Sequence, residues 1–199
     1  MKVVAFSDTH NHSIKVPDAD LVIFAGDFSG LGSLVETIVF DNWFNSLPHP
    51  YKILVPGNHE FNMDCVDTYY TNDIVNFNGI SFFCSSYTLE FNNWNYGKTE
   101  EELEKMYDYV PNDIDVFVTH GPPYGILDRG LGSKALLKLV QRVKPKVHIF
   151  GHIHNNLGDL RAIEKDGTKF YNVSICDDTY IPRFPVTEIK LWIILFGIY

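Results

Sequence analysis

Short apolar runs alternate with polar, helix-periodic stretches along this chain. Eight runs rich in Val, Ile and Phe predict buried strands: Val3–Ser7, Leu21–Ala25, Lys52–Pro56, Asp73–Asn76, Ile80–Ser85, Val116–Thr119, Val147–Phe150 and Phe170–Ser174. Asn78-Gly79, between two of them, is a hairpin signal. Three stretches predict helices: Leu34–Phe44, Glu100–Tyr109 with Thr99 as its cap, and Ser133–Val143 with Ser133 as cap and Pro145 as stop. Strands and helices alternate early and strands accumulate late, which predicts a layered α/β domain with one or two mixed sheets.

Most of these strands run into a small polar cluster. "VVAFS" leads to Asp8-Thr9-His10, "LVIFA" to Gly26-Asp27, and "ILVP" to Gly57-Asn58-His59-Glu60. "VFVT" leads to His120-Gly121, and "VHIF" to Gly151-His152-Ile153-His154. Ligands of open α/β sheets bind outside the carboxyl ends of the strands, so these clusters are expected to converge on one site. Two imidazoles two residues apart lean the same way on an extended chain, so His152 and His154 are expected to reach one place.

Size and charge narrow the classes. The chain has 199 residues, 45% hydrophobic and 15% aromatic, which predicts a single compact domain over 1–199 and excludes disorder and coiled coil. A net charge of −9 disfavours a broad nucleic-acid surface, but bound cations can invert the sign of a local site. Cys65, Cys84 and Cys176 lack CxxC spacing and read as buried free thiols. The start, "MKVVAFSDTHNH", is too polar for a secretory signal, which predicts a cytoplasmic protein. The apolar end "LWIILFGIY" is too short to span a bilayer. It is expected to form a last strand or a homodimer contact.

Asp8, His10, Asp27, Asn58, His120, His152 and His154 offer carboxylate, imidazole and amide donors suited to first-row divalent cations. That set is too rich for one ion, which uses about three protein ligands, and fits a two-ion site with a shared carboxylate. Manganese leads as the expected ion, with iron, zinc, nickel and magnesium as alternatives.

The ordered blocks Asp-x-His, Gly-Asp, Gly-Asn-His-Glu, His and Gly-His-x-His resemble those of the calcineurin-like metallophosphoesterases. "SDTHNH", "AGDFSGLG", "FNSLPHPYKILVPGNHEF", "VTHGPPYGILD", "VQRVKPKVHIFGHIH" and "NVSIC" resemble the small metallophosphoesterase-domain (MPPED) branch. The resemblance implies a four-layer α/β/β/α sandwich with two mixed sheets. It implies that Asp8, His10, Asp27 and His154 hold one ion, and Asp27, Asn58, His120 and His152 the other, with Asp27 bridging. Some members of the branch carry glycine at the position of His152, so its presence here implies a fuller metal site. His59 is then the phosphate-facing residue that stabilises charge or protonates the leaving oxygen, with metal-bound hydroxide as nucleophile. Glu60 orients its neighbours.

The implied function is hydrolysis of a small phosphorylated substrate, with cyclic nucleotides or other small phosphodiesters favoured. A phosphomonoesterase acting on nucleotide, phosphoprotein or sugar phosphate is the alternative. A scaffold of the same fold that has lost catalysis is a third reading, which the complete set of ligand residues disfavours. Phe28, Asn92, Trp94, Tyr124 and Arg129 are candidates for a substrate wall, with Arg129 the best of them, although in a chain with 15% aromatics each reads more readily as core or ordinary surface. His12 and His49 read as loop residues, His148 as core, and Asp64, Asp67, Asp177 and Asp178 as surface charges, the last two near the site at most.

Overall fold

Both faces of the first strand are buried. Val3 and Ala5 point to one side and Val4 and Phe6 to the other, and none is exposed. Such a strand needs cover above and below. A computed structural model, describing residues 1–155 and 158–191, supplies it. The elements are β1 (Lys2–Phe6), β2 (Leu21–Ala25), α1 (Leu34–Ser46), β3 (Tyr51–Val55), β4 (Asn72–Phe77), β5 (Ile80–Ser85), β6 (Thr88–Leu89) and β7 (Gly97–Lys98). They continue with α2 (Glu100–Tyr107), β8 (Val116–Thr119), α3 (Lys134–Val143), β9 (Val147–Phe150), β10 (Ala162–Lys165), β11 (Thr168–Asn172) and β12 (Thr187–Lys190).

One sheet has the order β12-β1-β2-β3, the other β10-β11-β9-β8-β5-β4. Both are mixed: parallel interiors with β12, β10 and β4 antiparallel at the edges. Between them Val3, Ala5, Ile23 and Val55 meet Phe82, Cys84, Val118 and Ile149. The opposite side of the first sheet, Val4, Phe6, Phe24 and Leu54, packs on Phe40 and Phe44 of α1. The opposite side of the second, Phe83, Phe117 and Phe150, packs on Leu103 of α2 and on Leu136 and Leu139 of α3. Period-two strand alternation thus builds the expected α/β/β/α layering.

The helices start where their caps predict. Thr99 and Ser33 each form a capping box, with Glu102 and Glu36, and Ser33 is a cap the sequence reading had not named. Ser133 caps α3, which ends at Lys144 in a left-handed conformation just before Pro145. Helix α2 stops at Tyr107, two residues earlier than predicted. Strands β10 and β12 were not predicted: they are polar edge strands whose exposed faces break the apolar signal. Of the apolar end, Leu191 is buried and its backbone pairs with Met1; residues 192–199, with the strand and dimer expectations placed on them, lie outside the described residues. No helix among the described residues is long and apolar enough to cross a membrane. The cysteines are unpaired, but Cys65 is exposed, against expectation.

His148 is core, as predicted, ringed by Phe117, Phe150 and Phe170. Its Nε2 lies 2.8 Å from Thr119 Oγ1, and burial pushes its pKa down to about 3. A depressed histidine favours the neutral fold, so this contribution is complete above pH 6.5 and is lost as pH falls towards the folded value. Linkage sets the loss at about 2 kcal/mol between pH 8 and pH 5. Urea unfolding of the wild type and of His148→Phe across that range should show the variant's stability falling less by that amount. Parallel curves would contradict it.

Candidate metal centre

The polar clusters meet at one end of the two sheets, beyond the carboxyl ends of β1, β2, β3, β8 and β9. Two groups of donors form there: Asp8, His10 and His154, and Asp27, His120 and His152. Asn58 joins the second, its Oδ1 3.0 Å from His120 Nε2. Every expected ligand is therefore brought to one place.

Left-handed backbone conformations aim several of them. Asp8, His10, Asp27 and His152 have φ of 55, 40, 61 and 66°. Such values in non-glycine residues cost free energy and cluster at functional sites. Gly26, at φ 99°, has no alternative: a Cβ there would sit 2.2 Å from His120 Nδ1. A Cβ on Gly57 would lie 2.3 Å from Asp27 Oδ1. The left-handed turn at His152 also changes how the last motif works. Residues 151–154 do not continue β9 as an extended chain, and the two rings serve different groups. His152 Nδ1 lies 3.3 Å from His120 Nε2, whereas His154 Nε2 lies 3.0 Å from His10 Nε2.

Backbone carbonyls hold the outer edges of the imidazoles. Nδ1 of His10 lies 2.9 Å from Ser29 O, that of His120 2.8 Å from Ala25 O, and that of His154 3.0 Å from Asp177 O. Each Nδ1–H therefore donates outwards and each Nε2 lone pair faces the site, the usual arrangement of metal-bound histidine. The facing lone pairs of His10 and His154 repel unless a proton or a cation lies between them. Asp8 Oδ2 accepts from Ser7 Oγ and from His152 N, while buried Oδ1 accepts no hydrogen bond among the described residues.

The charges agree with that geometry. Burial would raise the Asp8 and Asp27 carboxyls, but His154 beside the first and His120 beside the second hold both below the ordinary range. Burial would depress His120, yet Asp27 and Asp8 bring it up to about 9. Burial and the charge on His120 push His152 down to about 4. Asp8 likewise holds His154 above its ordinary value despite burial, so each group draws positive charge, which a bound cation would supply in place of a proton. An orphaned carboxylate oxygen, opposed lone pairs and a nitrogen–oxygen donor set fit two divalent ions.

Glu60 is buried beneath the site. Its Oε2 accepts from Asp27 N and Gly57 N at 2.8 and 2.6 Å, and its Oε1 from Ser29 N and Oγ at 3.1 and 3.0 Å. Burial, with the Asp27 charge, pushes its carboxyl up to about 7. His59 stands outside both donor groups, its Nε2 3.9 Å from Asp27 Oδ2.

An open cleft of about 480 Å³ leads to the centre, lined by Asp27, Asn58, His59, His152 and His154 and walled by Phe91, Arg129, Leu131, Ile153, Asp178 and Tyr180. Arg129 is in the wall as expected, its Nη1 paired with Asp178 at 2.8 Å. Phe28 is not: it is buried and stacked on Phe40 at 4.1 Å. Asn92 and Tyr124 are not among the lining residues, and Trp94 lies behind His59. Tyr180 was missed; its ring packs against His10 and His154, and its carbonyl takes His12 Nε2. It sits in an aperiodic segment that gave no signal. Asp178, read as a surface charge, is a wall residue, and His49 is buried against Pro17 O.

Residues 1–156 match the family described as calcineurin-like phosphoesterase. Metallophosphoesterase domain-containing protein 1 of Homo sapiens is 34% identical over 96% of this chain and 71% of its own length. UPF0046 protein K07C11.7 of Caenorhabditis elegans is 35% identical over 89% of this chain and 70% of its own. Among solved structures, the phosphopantetheinyl hydrolase of Mycobacterium tuberculosis superposes with a TM-score of 0.57 over 90% of each chain at 16% identity, a likeness of fold.

Proposed function

The chain belongs to the calcineurin-like phosphoesterase family, and from that premise we propose that it hydrolyses small phosphodiesters, cyclic nucleotides among them, at a two-metal centre. The observation that carries the reading is the pair of adjacent donor groups, Asp8–His10–His154 and Asp27–His120–His152 with Asn58, which reach one cleft through Asp27, Asn58, His152 and His154. Asp27, the carboxylate of the second group, is read as the bridge between the two ions, the role the family resemblance implies. Two bound divalent ions, with manganese the leading candidate, supply Lewis acidity and an activated water. The chain's own part is to fix the donors, hold the phosphoryl group and deliver a proton. His59 Nδ1 lies 2.7 Å from Gly30 O, so its Nδ1–H is committed and only a protonated Nε2 can donate to a leaving or phosphoryl oxygen.

The cleft wall favours a diester. A monoester dianion calls for several cations beyond the metals. Arg129 is the one guanidinium among the described lining residues, and Asp178 already neutralises it. Phe91, Leu131, Ile153 and Tyr180 instead offer apolar surface to the organic groups of an ester. Purified protein with manganese should hydrolyse bis-p-nitrophenyl phosphate with a kcat/KM at least about tenfold above that for p-nitrophenyl phosphate, a difference of about 1.4 kcal/mol. Chelation should remove the activity. A preference for the monoester would replace the diester reading, and silence with every divalent metal tried would point to a binding protein.

A further inference from the structure

β6 and β7 pair over Thr88↔Gly97 and Leu89↔Lys98, and the segment between them reaches over to the turn that carries Asn58 and His59. Asn95 holds it there. Its backbone N donates to Asn58 O at 3.1 Å and its Nδ2 to Glu60 O. Asn92, Asn93 and Tyr96 adopt φ of 46, 56 and 57°. Asparagine tolerates that region, but tyrosine rarely does, so surrounding contacts must specify the turn. The residue it presents is Trp94. The indole lies on the His59 ring at 4.1 Å between centroids and 24° between planes, with Phe61 beside it at 5.9 Å.

A histidine ring has two side-chain torsions, and one edge bond cannot fix its plane. The Gly30 carbonyl holds the Nδ1 edge of His59 at 2.7 Å, the His10 ring meets it at 4.8 Å and 71°, and among the described residues the indole is the one ring stacked nearly parallel on its face. A ring occupied in this way is not free to stack on substrate, which revises the sequence-based expectation for Trp94.

We propose that Trp94 is a positioning residue for His59, delivered by the strained 91–96 turn so that Nε2 meets the substrate oxygen. The inference rests on the phosphoesterase reading above. A displacement of about 1 Å in a reacting group can cost about a hundredfold in rate.

The test is a double-mutant cycle on bis-p-nitrophenyl phosphate with manganese, joined to NMR of the histidine rings in metal-free protein. Trp94→Leu should lower kcat at least about tenfold with KM within about twofold. Trp94→Phe should recover most of the loss. In a His59→Ala background, Trp94→Leu should have no further effect, because residues acting through one group are not additive. His59 ring protons, identified by their absence in His59→Ala, should be shifted upfield by the indole in the wild type and not in Trp94→Leu.

A loss of the same size in both backgrounds, a loss confined to KM, or an unshifted His59 signal would overturn the positioning role. Wild-type protein that shows the ring shift but no metal-dependent turnover would overturn the phosphoesterase reading, and the positioning role with it.

Discussion

Asp27→Asn is expected to lower kcat/KM by about 1,000-fold or more, about 4 kcal/mol of transition-state stabilisation, while the chain still folds. The carboxylate is almost fully buried, and its two oxygens divide their work. Oδ1 accepts from His59 N at 2.9 Å, and Oδ2 faces His120 Nε2 at 3.3 Å and His59 Nε2 at 3.9 Å. An amide retains the shape and one acceptor but loses the charge and the second acceptor. Bridging two cations calls for the negative charge, which the amide lacks. The variant should therefore bind at most one manganese ion where the wild type binds two, by calorimetry or elemental analysis, and should melt within a few degrees of the wild type when metal is chelated. A variant that still binds two ions and keeps activity within about tenfold would show that Asp27 does not bridge.

The site could be read from the sequence because its donors follow apolar strands. Each run that buries both faces, such as Val3–Phe6 or Val147–Phe150, ends at the same rim of the two sheets, so Asp8 and His152 are tied to that rim by local pattern alone. What stayed hidden depends on long-range placement or on backbone torsion. Tyr180 and Asp178 come from an aperiodic segment anchored by Asp177, whose side chain takes Thr179 N, Thr179 Oγ1 and Ile181 N. The left-handed φ of His152 is not encoded by residue type, although the resemblance by itself implies that His152 and His154 belong to different donor groups. Trp94 has a legible aromatic identity but an illegible partner, since only the docking of Asn95 on Asn58 and Glu60 puts the indole on His59. β10 could have been found: Asp166-Gly167 is a hairpin signal, and both residues take positive φ.

Glu60→Gln should cost about 3 kcal/mol of stability, although the residue lies outside the ligand set. The carboxylate ties together the turns that carry Asp27, Ser29 and Gly57, and every bond it makes is one it accepts. An amide cannot replace it. If its NH₂ faces Asp27 N and Gly57 N, both lose their acceptor; if it faces Ser29, Ser29 Oγ can turn to His59 O at 3.0 Å but Ser29 N cannot, so at least one buried N–H is left unpaired at about 1–3 kcal/mol. Water cannot enter to relieve it, because the residue has no exposed surface. A loss of about 3 kcal/mol corresponds to a fall of roughly 6–12 °C in Tm for a chain of this size. Glu36→Gln is the matching control. Glu36 accepts from Gly30 N, Leu31 N and Ser33 N at the rim of the fold, where solvent can take over, and its loss should cost about 1 kcal/mol. The Glu60 variant should also bind manganese about 10–100-fold more weakly, the usual penalty for removing a group that holds metal ligands in place. Equal melting temperatures for the two variants, or unchanged manganese affinity in Glu60→Gln, would mean that the Asp27 and Asn58 turns are held by other contacts.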